Sequence, residues 1–238
     1  MTDFFNKKAW VETFHRLRNK QLITLLLLGF SAGLPYLLVF ATLSAWLKDS
    51  NISNSTIGFV SWVSITYAIK FLWAPFLDRI KLPVLHKFFG KRRSWLLLTQ
   101  VMIGVSLYML TQILPSNENI IIFSLCALLV AFFSASQDIA LDAYRIEIAP
   151  KEMQGMLAAG YQFGYRLAIM VSGAGALIIA DKYSFEISYQ IMSALMLVGI
   201  ITTIFSLEPK EYKPKVKSKG NLIFLLYLDP VQDFLTRH

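Results

Sequence analysis

Long apolar stretches follow one another along this chain with only short polar turns between them. A helix needs roughly 18–20 apolar residues to cross a bilayer. The stretches at about 21–47, 57–77, 95–114, 120–141, 156–180 and 186–207 reach that length. Backbone N–H and C=O groups in lipid must be paired within the segment or within a closed barrel, so apolar runs this long fold as helices. Only 16% of the 238 residues are charged, against about 25% in an average soluble domain. The expectation is an all-α membrane protein, a six-transmembrane-helix bundle.

A formal net charge of +8 raises nucleic acid as a partner, and the placement of the charge argues against it. Of 23 Lys and Arg, 19 fall in alternate segments: five in 1–20, six in 78–94, two in 142–155 and six after 207. The loops between these hold only Lys48 and Lys182, and the last two cations, Lys70 and Arg166, lie inside spans. That alternation is the positive-inside pattern, with both termini cytoplasmic. The partner it implies is the lipid bilayer. The single Cys126 excludes an intramolecular disulfide.

Residues 1–20 are basic and aromatic, with Trp10, Phe14 and Leu17 on one face, and read as an interfacial amphipathic helix. The first span carries Gly29, Gly33 and Pro35. Proline removes a backbone hydrogen bond, so a kink is expected, serving either packing or the lining of a cavity. In the second span Lys70 follows Tyr67 by three residues. Its ammonium either snorkels to the interface or turns into the bundle to meet a carboxylate. Gly160 and Gly164, four apart in the fifth span, predict close approach of another helix. Arg166 stands ten residues into the same span with Gln162 one turn earlier. An arginine at that depth costs a few kcal/mol unless water or an acid meets it, so it predicts a buried pair or a functional cation.

The fourth span ends in an unusual polar face. Ser134, Asp138, Asp142 and Arg145 recur at i, i+4, i+8 and i+11 and share one side of a helix. Ionisable groups inside a span usually face the bundle interior or a water-filled path. Beyond the sixth span, residues 208–238 read as a basic cytoplasmic linker, and Leu222–Leu228 is too short to span.

Two resemblances follow from these residues. Asp78-Arg79, then Gly90-Lys91-Arg92-Arg93 before the third span, resembles the cytoplasmic loop motif of the major facilitator superfamily. The likeness implies that Asp78, Arg79, Gly90, Arg92 and Arg93 help hold the inward face closed. The blocks Gly29-Phe30-Ser31-Ala32-Gly33-Leu34-Pro35, Lys70-Phe71-Leu72-Trp73-Ala74-Pro75, Ser134-Ala135-Ser136-Gln137-Asp138-Ile139, Asp142-Ala143 and Gly164-Tyr165-Arg166-Leu167 together resemble the AmpG-type muropeptide permeases. That resemblance implies the N-terminal half of a facilitator transporter, multi-pass in the cell inner membrane. Its cargo would be anhydromuropeptides (GlcNAc-anhydroMurNAc peptides), imported by proton symport for cell-wall recycling. Related chains carry a second helical bundle after the linker, so the chain reads as truncated before it, with a second six-helix chain or a homodimer as the expected partner.

The residue chemistry agrees with such a cargo. Arg166 and Lys70 suit carboxylates, and Gln137, Gln162 and Tyr67 suit sugar or amide groups. Asp138 and Asp142 are candidates for proton coupling, because burial and a nearby cation pull a carboxyl's protonation in opposite directions. The competing reading is a buried network in which the aspartates permanently neutralise Arg166, Arg145 or Lys70. An enzyme is not expected: the three histidines, His15, His86 and His238, lie in loops or termini, and no metal-ligand cluster, Ser–His pairing or phosphate loop stands out. No cofactor is implied. The remaining rivals are a non-transporting remnant, one chain of a split transporter, and a facilitator with a different cargo.

Overall fold

The computed structural model describes residues 19–209. The expected amphipathic helix of 1–20 (apart from Asn19 and Lys20) and the linker beyond Pro209 lie outside the described residues. Among those described, five helical stretches are long and apolar enough to cross a membrane: Lys20–Asp49, Lys91–Leu110, Ile120–Glu147, Lys151–Lys182 and Phe185–Phe205. No strand occurs among the described residues.

The first stretch starts where the Asn19 side chain accepts the Gln21 N–H at 2.8 Å, satisfying one of the free donors of a helix start. It comprises α1 (Lys20–Leu38) and α2 (Ala41–Asp49). The helix runs through Pro35 and breaks at Val39–Phe40, one turn past the position where a kink was expected.

The second expected span, 57–77, is not one helix but a run of short pieces. It begins with α3 (Asn54–Val60), passes a 3₁₀ turn at Ser61–Ser64, continues through α4 (Ile65–Ala68) and a second turn at Lys70–Leu72, and ends in α5 (Ala74–Arg79). Pro75 explains the last interruption. It has no N–H to continue the ladder and disfavours helix in the residue before it, so the helix restarts around it. A short α6 (Leu85–Phe89) precedes α7 (Lys91–Leu110).

The fourth span, α8 (Ile120–Glu147), extends six residues past its expected end at 141. Arg145 and Glu147 therefore sit on the same rigid helix as Asp138. The fifth joins α9 (Gln154–Met170) to α10 (Ala176–Lys182) through a π-helical turn at Val171–Gly175. The sixth is α11 (Phe185–Leu195) and α12 (Leu197–Phe205).

The tightest seam lies between α1 and α9. A side chain at Gly29 or Gly33 would strike the Tyr161 or Tyr165 backbone, and one at Gly164 would strike the backbone of Leu26. The glycines therefore allow the two backbones to touch, the small-residue packing on which membrane helices rely. One core surrounds Trp46, Phe123, Leu107 and Tyr189. A second surrounds Leu25, Leu28, Leu96, Leu141 and Tyr144. The opposite faces carry large exposed apolar side chains, among them Phe59, Trp62, Ile121, Met170 and Ile178, a coat suited to lipid. The end where Asn19, the 80–90 segment, Glu147 and Glu208 gather is called basal below.

Candidate functional site

The polar face of α8 forms as its spacing predicts, and its members part company. Ser134 and Gln137 are buried, Asp138 is half-buried, and Asp142 is exposed. Lys70, which opens the second 3₁₀ turn of the broken span, holds its Nζ 3.4 Å from Asp138 Oδ2. The lysine thus turns inward to a carboxylate. Beside this pair, Trp73 Nε1 donates to Ser136 Oγ at 3.0 Å and Gln137 Nε2 donates to Ser31 Oγ at 3.1 Å. These contacts tie the segmented span and α1 to α8.

The bonding is incomplete. Asp138 Oδ1, Gln137 Oε1 and the Tyr67 hydroxyl are buried atoms without a hydrogen-bond partner. A buried polar atom left unpaired costs about 1–3 kcal/mol, so three in one region mark a place where something other than stability is served. One turn further on, Arg145 pairs with Asp142 at 3.5 Å and lies over the Tyr161 ring at 5.7 Å.

Arg166 stands apart. It is exposed on α9, one turn from exposed Gln162, on a face turned away from the glycine seam. Its Cα lies about 18 Å along the helix from Gln154, at a rise of about 1.5 Å per residue. Asp138 pairs with Lys70 and Asp142 with Arg145, and neither aspartate pairs with Arg166. Lys70, Tyr67, Gln137 and Asp138 are thus brought together, while Arg166 and Gln162 form a separate exposed pair.

At the basal end the bonding is dense. Arg92, only 9% exposed, donates from Nη1 to Asp78 at 2.7 Å and from Nε and Nη2 to Glu147 at 2.9 and 2.6 Å. Glu208 accepts the backbone N–H groups of Arg92 and Arg93 at 2.9 and 3.1 Å. This places a carboxylate at the positive end of α7. Arg93 donates to the carbonyls of Thr203 and Ile204, covering the last turn of α12. Gly90, with φ +79°, enters α7 in a conformation that side chains rarely adopt. A Cβ there would also collide with Glu208. Of the residues expected to form a gate, Asp78, Gly90, Arg92 and Arg93 meet here, and Arg79 is exposed next to Asp78 at the end of α5.

Sequence reasoning missed Glu147 and Glu208. Glu147 lay beyond the expected end of its span, and Glu208 fell at the start of the stretch read as a basic linker. The available signal was an acidic residue at each basal helix end, opposite an Arg-Arg pair.

Residues 21–236 match the major facilitator superfamily. The anhydromuropeptide permease of Escherichia coli strain K12 is 40% identical over 215 residues, covering 90% of this chain and 42% of that protein. A putative transporter AmpG 1 of Rickettsia felis is 35% identical over 188 residues, 79% of this chain and 42% of its own length. An uncharacterized protein of Haemophilus influenzae is 37% identical over 209 residues, 88% and 48% of the two chains. The chain thus spans somewhat less than half the length of these relatives.

Proposed function

The chain belongs to the major facilitator superfamily, and from that premise we propose that it forms the six-span half of a secondary transporter importing anhydromuropeptides by proton symport. In this reading the chain sits in the cell inner membrane with both termini cytoplasmic, and the basal end faces the cytoplasm. The segmented stretch Asn54–Arg79 is the sixth membrane-crossing element. Facilitator sites lie between two bundles, so a second six-helix bundle, or a second copy of this chain, supplies the facing wall. The likeness to the Escherichia coli permease supports the cargo.

The observation that carries the reading is the half-satisfied Lys70–Asp138 pair. With Asp138 ionised, the aspartate holds Lys70. A proton arriving at Asp138 cancels that attraction and frees the ammonium, which with Arg166 then takes a peptide carboxylate of the cargo. Arginine suits that contact through its planar fork of donors. Deprotonation on the other side restores the internal pair and displaces the carboxylate, so proton and cargo move together. Asp142, paired with Arg145, is the second candidate relay. Gln137, Gln162 and Tyr67 supply hydrogen bonds to the neutral parts of the cargo.

The basal cluster of Asp78, Arg92, Arg93 and Gly90, with Glu147 and Glu208, acts in this reading as the inward gate, and Arg79 adds positive charge at its edge. Opening requires Arg92 to leave two carboxylates at once. That cost sets a barrier which cargo binding must offset.

The test is proton-driven uptake of labelled anhydromuropeptide into vesicles containing this chain alone or together with a second six-helix bundle. Uptake only in the paired vesicles, and only with an inward proton gradient, is expected. Uptake by a verified monomer overturns the half-transporter reading, and absence of uptake in paired vesicles overturns the cargo.

A further inference from the structure

The tyrosines of this bundle divide into two kinds. Tyr144 and Tyr189 are buried in the two cores, and each hydroxyl donates to a carbonyl, Leu207 O at 2.9 Å and Leu38 O at 2.8 Å. This is the usual state of a tyrosine inside a protein, with an apolar ring and a paired hydroxyl. Tyr36, Tyr67, Tyr161 and Tyr165 are different. They lie near one another, and among the described residues none of their hydroxyls donates to a backbone carbonyl as those two do.

The four are brought together from three separate spans. Tyr36 of α1 lies 6.3 Å from Tyr67 of α4 and 6.3 Å from Tyr165 of α9, centroid to centroid. Tyr165 lies 6.0 Å from Tyr161. Phe40, at the break between α1 and α2, closes the other end, 4.8 Å from Tyr36 and 5.7 Å from Tyr67. The rings meet tilted or edge-on, with Phe40 and Tyr67 resting against one core and Tyr161 and Tyr165 against the other. Tyr36, at the centre, is 37% exposed, and the others are half-buried. The Tyr67 hydroxyl is buried beside Ser134 and Asp138 and closes no hydrogen bond of good geometry. Asp138 Oδ1 is unpaired as well.

If these rings served packing alone, phenylalanine would suit four positions where no carbonyl meets the hydroxyl. If they faced acyl chains, the phenols and the unpaired oxygen of Asp138 would have only hydrocarbon to meet. A ligand with an apolar face and polar edges satisfies both halves of the surface. A pyranose ring has that shape, with axial C–H bonds on its faces and hydroxyl, amide and ether groups around its rim. Concave sites combine apolar lining and a few placed polar groups in the same way. The line from Phe40 through Tyr36 and Tyr165 to Tyr161 is longer than one sugar and accommodates two joined in sequence.

We propose that Tyr36, Tyr67, Tyr161 and Tyr165, with Phe40, form a stacking wall for the linked amino-sugar rings of the cargo. The Tyr67 hydroxyl and Asp138 Oδ1 take the sugar's polar edge, and Arg166 is left to the peptide carboxylates. The wall rests on the cargo reading above and assigns the two chemical parts of that cargo to two places.

The experiment uses the chain paired with a second six-helix bundle in nanodiscs and three probes: the peptide-free GlcNAc-anhydroMurNAc disaccharide, the free stem peptide and the intact muropeptide. Affinity is read by calorimetry, and contact by saturation transfer from aromatic protons to the sugar's C–H protons. The disaccharide is expected to bind and to receive saturation. Tyr36→Leu is expected to weaken it about tenfold, the scale of an aromatic contact. The free peptide should change by less than about twofold, and Tyr36→Phe should keep the disaccharide within about threefold. Thermal unfolding of Tyr36→Phe and Tyr36→Leu near the native temperature confirms that both are folded. Disaccharide binding unchanged by Tyr36→Leu overturns the wall, as does a native chain that binds free peptide and not disaccharide. Failure of all three probes overturns the cargo reading, and the wall with it.

Discussion

The basal clamp and the aromatic-lined face draw on the same residue types and end in opposite states of bonding. At the clamp, Arg92 engages two carboxylates through three nitrogens, Glu208 caps a helix start, and Arg93 covers a helix end. Around Lys70 one carboxylate oxygen is held loosely at 3.4 Å and the other not at all, and a glutamine oxygen and a phenol are unpaired close by. Filled valences resist motion and cost energy to break. Open ones wait for a partner. A chain that stored its polar residues only for stability would have little reason to saturate Arg92 and leave Asp138 half-bonded.

The contrast can be broken, most forcefully at Arg92. Replacing it with glutamine strands Glu147 against a half-dry interface, and breaking such a pair from one side costs about 3–5 kcal/mol. Thermal unfolding in detergent should show a loss of that order, and a loss below about 1 kcal/mol would mean that the clamp is solvated and weak. Gly90→Ala comes next. It forces a side chain into a backbone region costing about 1–3 kcal/mol and into the Glu208 carboxylate, so the midpoint should fall, though less than for Arg92→Gln.

Third is Arg166→Ala, tested in vesicles that also hold a second bundle. Uptake should drop by more than about tenfold, equivalent to about 1.4 kcal/mol, with insertion and unfolding unchanged. Normal uptake would remove Arg166 from the transport path. The smallest effect sharpens the comparison most. Tyr144→Phe should cost about 1 kcal/mol by losing a paired hydroxyl, whereas Tyr67→Phe should cost nothing, or stabilise slightly, by removing an unpaired one. Equal losses at the two positions would mean that the Tyr67 hydroxyl is satisfied after all.

Much of this organisation is legible in one sequence because hydrocarbon leaves few choices. Apolar length marks the helices, and Gly160 with Gly164 marks the seam. Lys70 inside a span narrows the choice to snorkelling or a nearby acid, and the fold selects the acid. What stayed hidden is whatever depends on three-dimensional meeting. Glu147 could not be recognised as an Arg92 ligand until α8 was seen to continue past 141. Tyr36 lies 125 or more residues along the chain from Tyr161 and Tyr165, across the α1–α9 seam, and nothing local to any of them says that its hydroxyl will lack a carbonyl. The segmentation of 54–79 was also missed. Hydropathy measures apolar content, and Ser61, Ser64 and Pro75 change helix continuity without changing that content much.

The glycine seam has a kinetic consequence. Two helices whose backbones touch cannot shear past one another without lifting apart, so α1 and α9 behave as one rail carrying Tyr36, Tyr161, Tyr165 and Arg166 at fixed spacing. Lys70, by contrast, rides on a span jointed at Ser61–Ser64 and again at Lys70–Leu72. Amide exchange should therefore run at two speeds, with the slowest protons along Leu25–Gly33 and Gly160–Ala168 and much faster ones through 61–73. In the proposed transporter the wall that would meet the cargo thus stays still, and the lysine that would answer the proton sits on the part that bends.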